Sequence, residues 1–454
     1  MKIIIAGGGK VGFSVADMLS GEGHDITLID RDPDQITAAS NALDVICVEG
    51  SATNPETLRE AGAEHADLLL AATQRDEVNM ICGITARKLG TAHVIARIRD
   101  PEYLTQTEFL RETLGLSVIV NPEYECAREI SRILRFPSAV HVAAFSKGSM
   151  EIIEYRVPED GPLAGTALRD LPHRFGARVL VCVVERGGEA LIPDGDFVLQ
   201  AGDRLSVSGE SLELKRFFEA LGQYRRPVRR VMIMGGGRIA VYLTRLLKEN
   251  GVEASIVERD RARCDELCDL LPGTRILNGD ATRSEVLTEE GVLSTDAFAA
   301  LTGDDEDNII TSLYAMRCKV PKIVTKVNRA HLSGMLASFG IDSVVSPKEL
   351  VAQQLVRFVR AMNDSEGSSM ETLYRLADGK AEAMEFKVGE GSAVVGVPLR
   401  ELRLKKDVLV SAVIHEGKSI IPGGSTVIRP GDHAVLVAAA GKIKTLDQAL
   451  EERA

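Results

Sequence analysis

Short apolar runs bounded by glycine or polar residues recur along this chain, separated by stretches with helix-like patterning. KIIIA at Lys2–Ala6 is a strand pattern, FSVADMLSGEG is helix-like, and DITLID is a second strand pattern ending on Asp30. Beyond it QITAASN reads as helix, DVICVEG as strand, PETLREAGAEHA as helix and DLLLAAT as a buried strand. EVNMICGITARKLG is another helix, HVIARIRD a strand, YLTQTEFLRETLG a helix and SVIV a short strand. Strands alternating with helices of this length predict a doubly wound parallel sheet. Ligands bind at the carboxyl ends of such strands, which is where Ser51, Thr73 and Arg97 fall.

After Asn121-Pro122 the pattern changes. Glu123–Arg135 is helical, with Ile130, Ile133 and Leu134 on an apolar face suited to bridging domains or pairing with a second copy. From Val140 to Leu221 the strands HVAAF, MEIIEYRV, RVLVCVVERG and DRLSVSG alternate with turn residues such as Gly187-Gly188 and Asp194-Gly195, predicting a small α+β module. Then the chain starts again. VMIMGGGRIA at 231–240 repeats IIIAGGGKVG at 3–12. LNGDATRSEVLTEEGVLSTDAFAALT at 277–302 matches VEGSATNPETLREAGAEHADLLLAAT at 48–73 in ten of 26 positions. ELVAQQLVRFVRAM follows Pro347 as the earlier helix follows Pro122, a polar linker is expected over Asn363–Ser369, and the final segment repeats the small module. The predicted fold class is α/β, with tandem duplicated, doubly wound parallel, Rossmann-like sheets, each followed by a small α+β domain. The expected domain boundaries are 1–122, 138–222, 228–347 and 370–454.

The chemistry centres on Gly7-Gly8-Gly9-Lys10-Val11-Gly12. Gly7, Gly9 and Gly12 fit G-x-G-x-x-G between a strand and a helix, the context the motif requires. Gly7 permits a tight turn, Gly9 lets backbone approach a pyrophosphate, and Gly12 lets helix and strand pack closely. The pyrophosphate is then held at the helix N-terminus. Asp30, 18 residues after Gly12, is placed to bind ribose hydroxyls. In the second half Gly235, Gly237 and Ala240 carry the motif, Glu258 replaces Asp30, and Lys326 falls where Arg97 stood.

Composition narrows the partners. The 454 residues, roughly three or four domains in length, are 45% hydrophobic and 26% charged, with a net charge of −12. Such an acidic chain is a poor nucleic-acid binder and is repelled by an anionic membrane surface. Membrane attachment is therefore expected to run through a protein partner. The apolar runs are too short to span a bilayer, and KIIIA passes into glycines with no signal-peptide layout. Seven scattered cysteines fit a reducing cytoplasm. Cys264 and Cys268 read as one helix face, and the eight histidines show no partner pattern, so no metal or catalytic residue is assigned. The basic run Arg225-Arg226-Pro227-Val228-Arg229-Arg230 reads as a solvated linker. Asp76-Glu77 and Asp304-Asp305-Glu306-Asp307 read as first-turn carboxylates of helices.

On GGGKVG…LID, EGSAT, AATQRDEVN and ARIRDP in the first half, and GGGRIA…VER, NGDAT, ALTGDDEDN and TKVN in the second, the chain resembles the TrkA family. These are cytoplasmic regulatory subunits of Trk-type potassium uptake systems, built from two RCK (KTN) units, each a nucleotide-binding N domain followed by a TrkA-C domain. The resemblance covers nearly the whole chain. It implies binding of NAD(H), with ATP/ADP also open. Gly7, Gly8, Gly9, Lys10, Val11 and Gly12 would form the phosphate loop and Asp30 the ribose contact. Ser51, Ala52 and Thr53 would border the adenine, Thr73 and Gln74 the ribose or phosphate edge, and Arg97 would face phosphate. The matching positions are Gly235, Gly236, Gly237, Arg238, Ile239, Glu258, Asp280, Ala281, Thr302, Gly303 and Lys326. Ser51 departs from the family, which often has Asp there, so the two sites would differ in ligand preference. The resemblance further implies a membrane potassium transporter partner of the TrkH/TrkG kind, a homo-oligomer, most simply a tetramer with its nucleotide domains in a ring, and a place at the inner face of the membrane. An NAD-dependent dehydrogenase and a non-binding ring scaffold are the alternatives. The first would need an acid, base or metal beside the nicotinamide, and the small modules show no such constellation.

Overall fold

The computed structural model describes the chain apart from residues 105, 137–138, 223–227, 330–331, 333–334, 337–338, 342, 364–367 and 452–454. Six parallel strands build the first sheet: β1 (Lys2–Ala6), β2 (Asp25–Asp30), β3 (Ile46–Glu49), β4 (Leu68–Ala71), β5 (His93–Arg97) and β6 (Val118–Val120). Their order is β3-β2-β1-β4-β5-β6, so the chain reverses direction across the sheet between β1 and β4. Apolar residues on both faces explain the placement. Ile3, Ile4, Ile5, Leu68, Leu69 and Leu70 are all buried, as a sheet covered by helices on both sides demands.

Strands β7 (His141–Phe145), β8 (Met150–Arg156), β9 (Leu180–Arg186), β10 (Glu189–Leu191) and β11 (Arg204–Gly209) form an antiparallel sheet in the order β10-β9-β11-β8-β7. The pattern then recurs. Strands β12 (Arg230–Met234), β13 (Glu253–Glu258), β14 (Arg275–Asn278), β15 (Ala297–Ala300), β16 (Lys322–Lys326) and β17 (Val344–Val345) are parallel, in the order β14-β13-β12-β15-β16-β17. The last sheet holds β18 (Ser368–Leu376), β19 (Ala381–Val388), β20 (Val408–His415), β21 (Lys418–Ile420) and β22 (His433–Ala439), in the order β18-β19-β22-β20-β21. The tandem Rossmann-like architecture with a small domain after each parallel sheet is therefore present.

The described chain divides into two units. Both parallel sheets fall in the first, Met1–Ser131, Arg229–Met335 and Val344–Val356. Both antiparallel sheets fall in the second, Arg132–Val228, Leu336–Ser343 and Arg357–Ala454. The helix Pro122–Arg135 runs from one unit into the other, and its Ile130, Ile133 and Leu134 are buried.

Three local expectations need correction. PETLREAGAEHA is not one helix: it ends at Glu60, and Gly62 at φ 88° turns the chain into a separate turn of 3₁₀ helix. YLTQTEFLRETLG divides into Pro101–Leu104 and Thr107–Leu114, with Gln106 non-helical between them. Ser368 and Ser369, assigned to a linker, open β18 and pair with Val388 and Lys387. Arg225, Arg226 and Pro227 of the basic run lie outside the described residues. Arg229 and Arg230 donate their backbone N–H groups to Asp296 at the start of the second parallel sheet.

Candidate functional site

The glycine loop follows β1 and feeds the helix Lys10–Ser20, with Gly9 in extended backbone at its N-cap. Gly7 sits at φ 111°, a left-handed conformation that favours glycine. A Cβ at Gly12 would lie 1.8 Å from the Gly7 carbonyl oxygen, so this glycine is what lets the helix press onto the loop. Nothing lies within 4 Å of where a Cβ would project from Gly9, leaving backbone open to a ligand. Asp30 ends β2 and holds the loop. Its Oδ2 accepts from Gly8 N at 2.5 Å and its Oδ1 from Asp32 N at 2.9 Å. Each carboxylate oxygen keeps a lone pair for a further donor.

The second half reproduces this arrangement. Gly235 is at φ 95°, and Glu258 accepts from Gly236 N at 2.7 Å and Asp260 N at 2.9 Å. One difference is local. Arg263 donates to the Gly236 carbonyl at 2.9 Å, whereas the matching residue of the first half is Gln35.

The strand ends are tied together by two buried residues that sequence reading leaves as ordinary helix residues. Asn79 accepts from Thr73 N at 2.8 Å and Thr73 Oγ1 at 2.6 Å, and donates to the Arg97 carbonyl at 2.8 Å. Asp76 accepts from the backbone N–H groups of Arg99 at 2.8 Å and Asp100 at 2.9 Å. Asn308 and Asp305 do the same for Thr302, Lys326, Asn328 and Arg329. The signal was in the repeat: D-E-V-N at 76–79 returns as D-E-D-N at 305–308. These acids are thus more than first-turn carboxylates, because they fix the loops after β5 and β16.

A cleft of about 930 Å³ opens within the first unit between the two sets of strand ends. From the first half its lining takes Gly7, Gly9, Lys10, Val11, Asp30, Ala52, Thr73, Gln74 and Arg97, all singled out by the sequence. From the second it takes Gly237, Arg238, Ile239, Gly303 and Lys326, so residues assigned to two separate sites border one space. Glu123, Asn328 and Lys348 join them without having been foreseen. Gly8 and Gly12 act behind this surface, in the loop's own packing. Ser51 and Thr53 stand outside the lining: Ser51 Oγ accepts from Arg31 at 2.5 Å and lies 2.9 Å from Thr53 Oγ1. Gly235, Gly236, Glu258, Asp280, Ala281 and Thr302 also stand outside it. Asp280 instead accepts from Thr282 N and Oγ1, which holds its carboxyl below the usual range.

The two halves meet through Tyr242. Its hydroxyl donates to the Arg99 carbonyl at 2.8 Å and accepts from Asn121 at 3.0 Å, and its ring meets Tyr124 edge-on at 5.4 Å. Burial raises its phenol pKa to about 12.

The cleft's electrostatics are those of an anion site. Burial, then Arg99, lowers the Arg97 pKa, with Arg238 pushing the same way against Glu123 and Asp76. Burial lowers Lys326 too, Lys10 adds to this, and Cys126, Asp305 and Glu123 oppose it. Burial and Lys10 lower Lys348. Cations from both halves crowd one another there, and a polyanion relieves that repulsion. The Arg97 Nε is buried without a partner, and Nη1 reaches only the Ala72 carbonyl, at 3.5 Å. Lys326 is more occupied, donating to the Thr302 carbonyl at 2.6 Å.

Comparison with known proteins bears on both repeats. Residues 3–122 and 231–347 match the TrkA-N domain, and residues 152–222 and 383–451 match the TrkA-C domain. The chain is 32% identical over 449 residues to the Trk system potassium uptake protein TrkA homolog of Archaeoglobus fulgidus, covering 99% of each. The chain belongs to the TrkA family. It is also 33% identical over 447 residues to the TrkA protein of Haemophilus influenzae, covering 96% of this chain and 95% of that one. Among solved structures, the GsuK channel bound to NAD shares the fold, with a TM-score of 0.63 at 21% identity, covering all of this chain and 79% of that one.

One of two side-chain expectations changes within this TrkA-family chain. Cys264 and Cys268 stand four residues apart in the helix Arg261–Leu270, on one face as expected, Cys264 buried and Cys268 exposed. The histidines are not all without a partner pattern. His415 Nδ1 lies 2.5 Å from Asp432, and His433 Nδ1 lies 3.0 Å from Glu385 and 3.2 Å from Glu371.

Proposed function

We propose that this chain is a nucleotide-sensing regulatory subunit of a Trk-type potassium transporter. It takes NAD(H), or ATP and ADP, in the shared cleft and passes occupancy to a membrane subunit of the TrkH/TrkG kind. The observation that carries this is the cleft: an open glycine loop, a strand-end carboxylate, and cations drawn from both halves of the chain, among them Lys10, Arg97, Arg238, Lys326 and Lys348. The names of the relatives support the transport role, and the NAD-bound GsuK channel supports the ligand class. Among the described residues no helix is long and apolar enough to cross a membrane, so ion passage falls to the partner. The site residues and the four-domain division at 1–122, 138–222, 228–347 and 370–454 belong to the same proposal. In mechanism, the ligand shifts the protein between conformations by the difference in its affinity for them, and the gate moves by no more than that difference.

Asp30 is the selector. Its carboxylate accepts ribose hydroxyls and repels a 2′-phosphate. Calorimetric titration should show NADH binding more tightly than NADPH, without NADH consumption. Equal or tighter NADPH binding would reject the role of Asp30, turnover would favour the dehydrogenase, and no binding at all would favour the scaffold.

Arg97 and Lys326 test the cationic floor. Arg97 has spare donors in a planar fork, whereas Lys326 is a point charge already engaged. Arg97→Ala should therefore weaken nucleotide binding by roughly ten- to a hundred-fold, about 1.5–3 kcal/mol, and Lys326→Ala by less. Burial lowers the Lys326 pKa, so its charge is lost earlier than that of an ordinary lysine as pH rises. The Arg97→Ala chain, left to depend on Lys326, should accordingly lose further affinity toward alkaline pH. Titrations paired with potassium uptake check both points, and wild-type affinity in both variants would show that neither cation touches the ligand.

A further inference from the structure

In the second unit, four glutamates of the antiparallel sheets are buried: Glu151, Glu154, Glu382 and Glu385, each 3% exposed or less. Three of them face an arginine. Arg135 lies 3.5 Å from Glu151, Arg204 lies 2.6 Å from Glu154, and Arg360 lies 3.0 Å from Glu382. Glu385 matches Glu154 in the repeat, but the residue opening the neighbouring strand is His433 of β22 where β11 has Arg204. Among the described residues no arginine or lysine pairs with Glu385. A buried carboxylate without a matching cation is costly. Here two carboxylates converge on a single imidazole nitrogen: His433 Nδ1 lies 3.0 Å from Glu385 Oε1 and 3.2 Å from Glu371 Oε2.

We propose that Glu371, Glu385 and His433 form a binding site for a divalent transition-metal ion, Zn²⁺ being the best chemical match. The three donor atoms all lie within 4.8 Å of one another. Metal–ligand bonds of about 2.0–2.2 Å in tetrahedral array set donor atoms about 3.4 Å apart, close to the two distances seen. The metal takes the place of the proton that Nδ1 shares with the carboxylates, and a water completes the fourth position. Ser146, between β7 and β8, donates from N to Glu385 Oε2 at 3.2 Å and from Oγ to Oε1, orienting the ligand from behind. The Glu371 side chain is 41% exposed, which leaves a path of entry. The site lies outside the nucleotide cleft and stands independently of it.

The full chain titrated with CoCl₂ provides the test, since cobalt reports its ligands by visible absorption. One Co²⁺ per chain is expected, with tetrahedral ligand-field bands, no thiolate charge-transfer band, and displacement by ZnCl₂. Glu371→Gln and His433→Gln should each weaken binding more than ten-fold with unchanged circular dichroism. Glu371 is partly exposed, so its variant keeps the test valid if His433→Gln fails to fold. No binding by the wild type, equal binding by Glu371→Gln, or a thiolate band as the sole signal would each overturn the proposal.

Discussion

Gly12→Ala should cost about 3 kcal/mol of stability or more and abolish nucleotide binding by the first glycine loop. The added Cβ would lie 1.8 Å from the Gly7 carbonyl oxygen and 3.2 Å from Ile5 Cγ2. Overpacking a tight site usually costs about 1–3 kcal/mol, and here the opposing atom is backbone, which cannot rotate away. Relief requires the helix Lys10–Ser20 to move off β1, which carries the Lys10 and Val11 N–H groups out of the cleft. Ala240 already occupies the matching position of the second half and is fully buried. Ala240→Gly should leave the fold intact, costing about 1 kcal/mol for glycine within a helix. Urea unfolding and nucleotide titration check both. An unchanged midpoint and affinity for Gly12→Ala would show that the loop has more room than its geometry allows.

Asn79→Ala is the second large effect. One buried amide closes four hydrogen bonds between the ends of β4 and β5. Its removal strands the Thr73 N–H and the Arg97 carbonyl, and each orphaned buried group costs about 1–3 kcal/mol. A loss of about 2–5 kcal/mol is expected, with weaker nucleotide binding because Thr73 and Arg97 both line the cleft. Asn79→Asp separates the two roles: it still accepts from Thr73 but repels the Arg97 carbonyl. It should fold better than Asn79→Ala and bind nucleotide no better. Thermal unfolding with and without NADH reads this, and Asn308→Ala repeats the experiment in the second half. Wild-type stability in Asn79→Ala would place the strand ends under some other control.

The legible parts of this protein were local. A strand, three glycines, a helix and an acid lie within 30 consecutive residues, and each is dictated by its neighbours. The duplication was legible because repeated sequence repeats its backbone. What escaped is long-range. Asp76 and Asn79 look like helix-start residues until the loop after β5 arrives to be held. Nothing in either repeat announces that Arg97 and Lys326 border one space, because that depends on how two sheets meet around Tyr242. MEIIEYRV read as a strand, but Glu151 and Glu154 within it are as buried as its isoleucines. Both faces of β8 are covered, and arginines from elsewhere in the chain make those charges tolerable.

The shared cleft also has a consequence in genetics. Arg97 and Lys326 reach it from the two halves of one polypeptide. A cell carrying two alleles, one defective at Arg97 and the other at Lys326, therefore makes no undamaged cleft, whatever mixture of chains assembles. Independent sites would leave each defective chain with one sound half, and the alleles would complement. Fusion of the two copies has made them a single unit of inheritance for this site, so that a change in either half is exposed to selection at once and neither is free to drift as a spare.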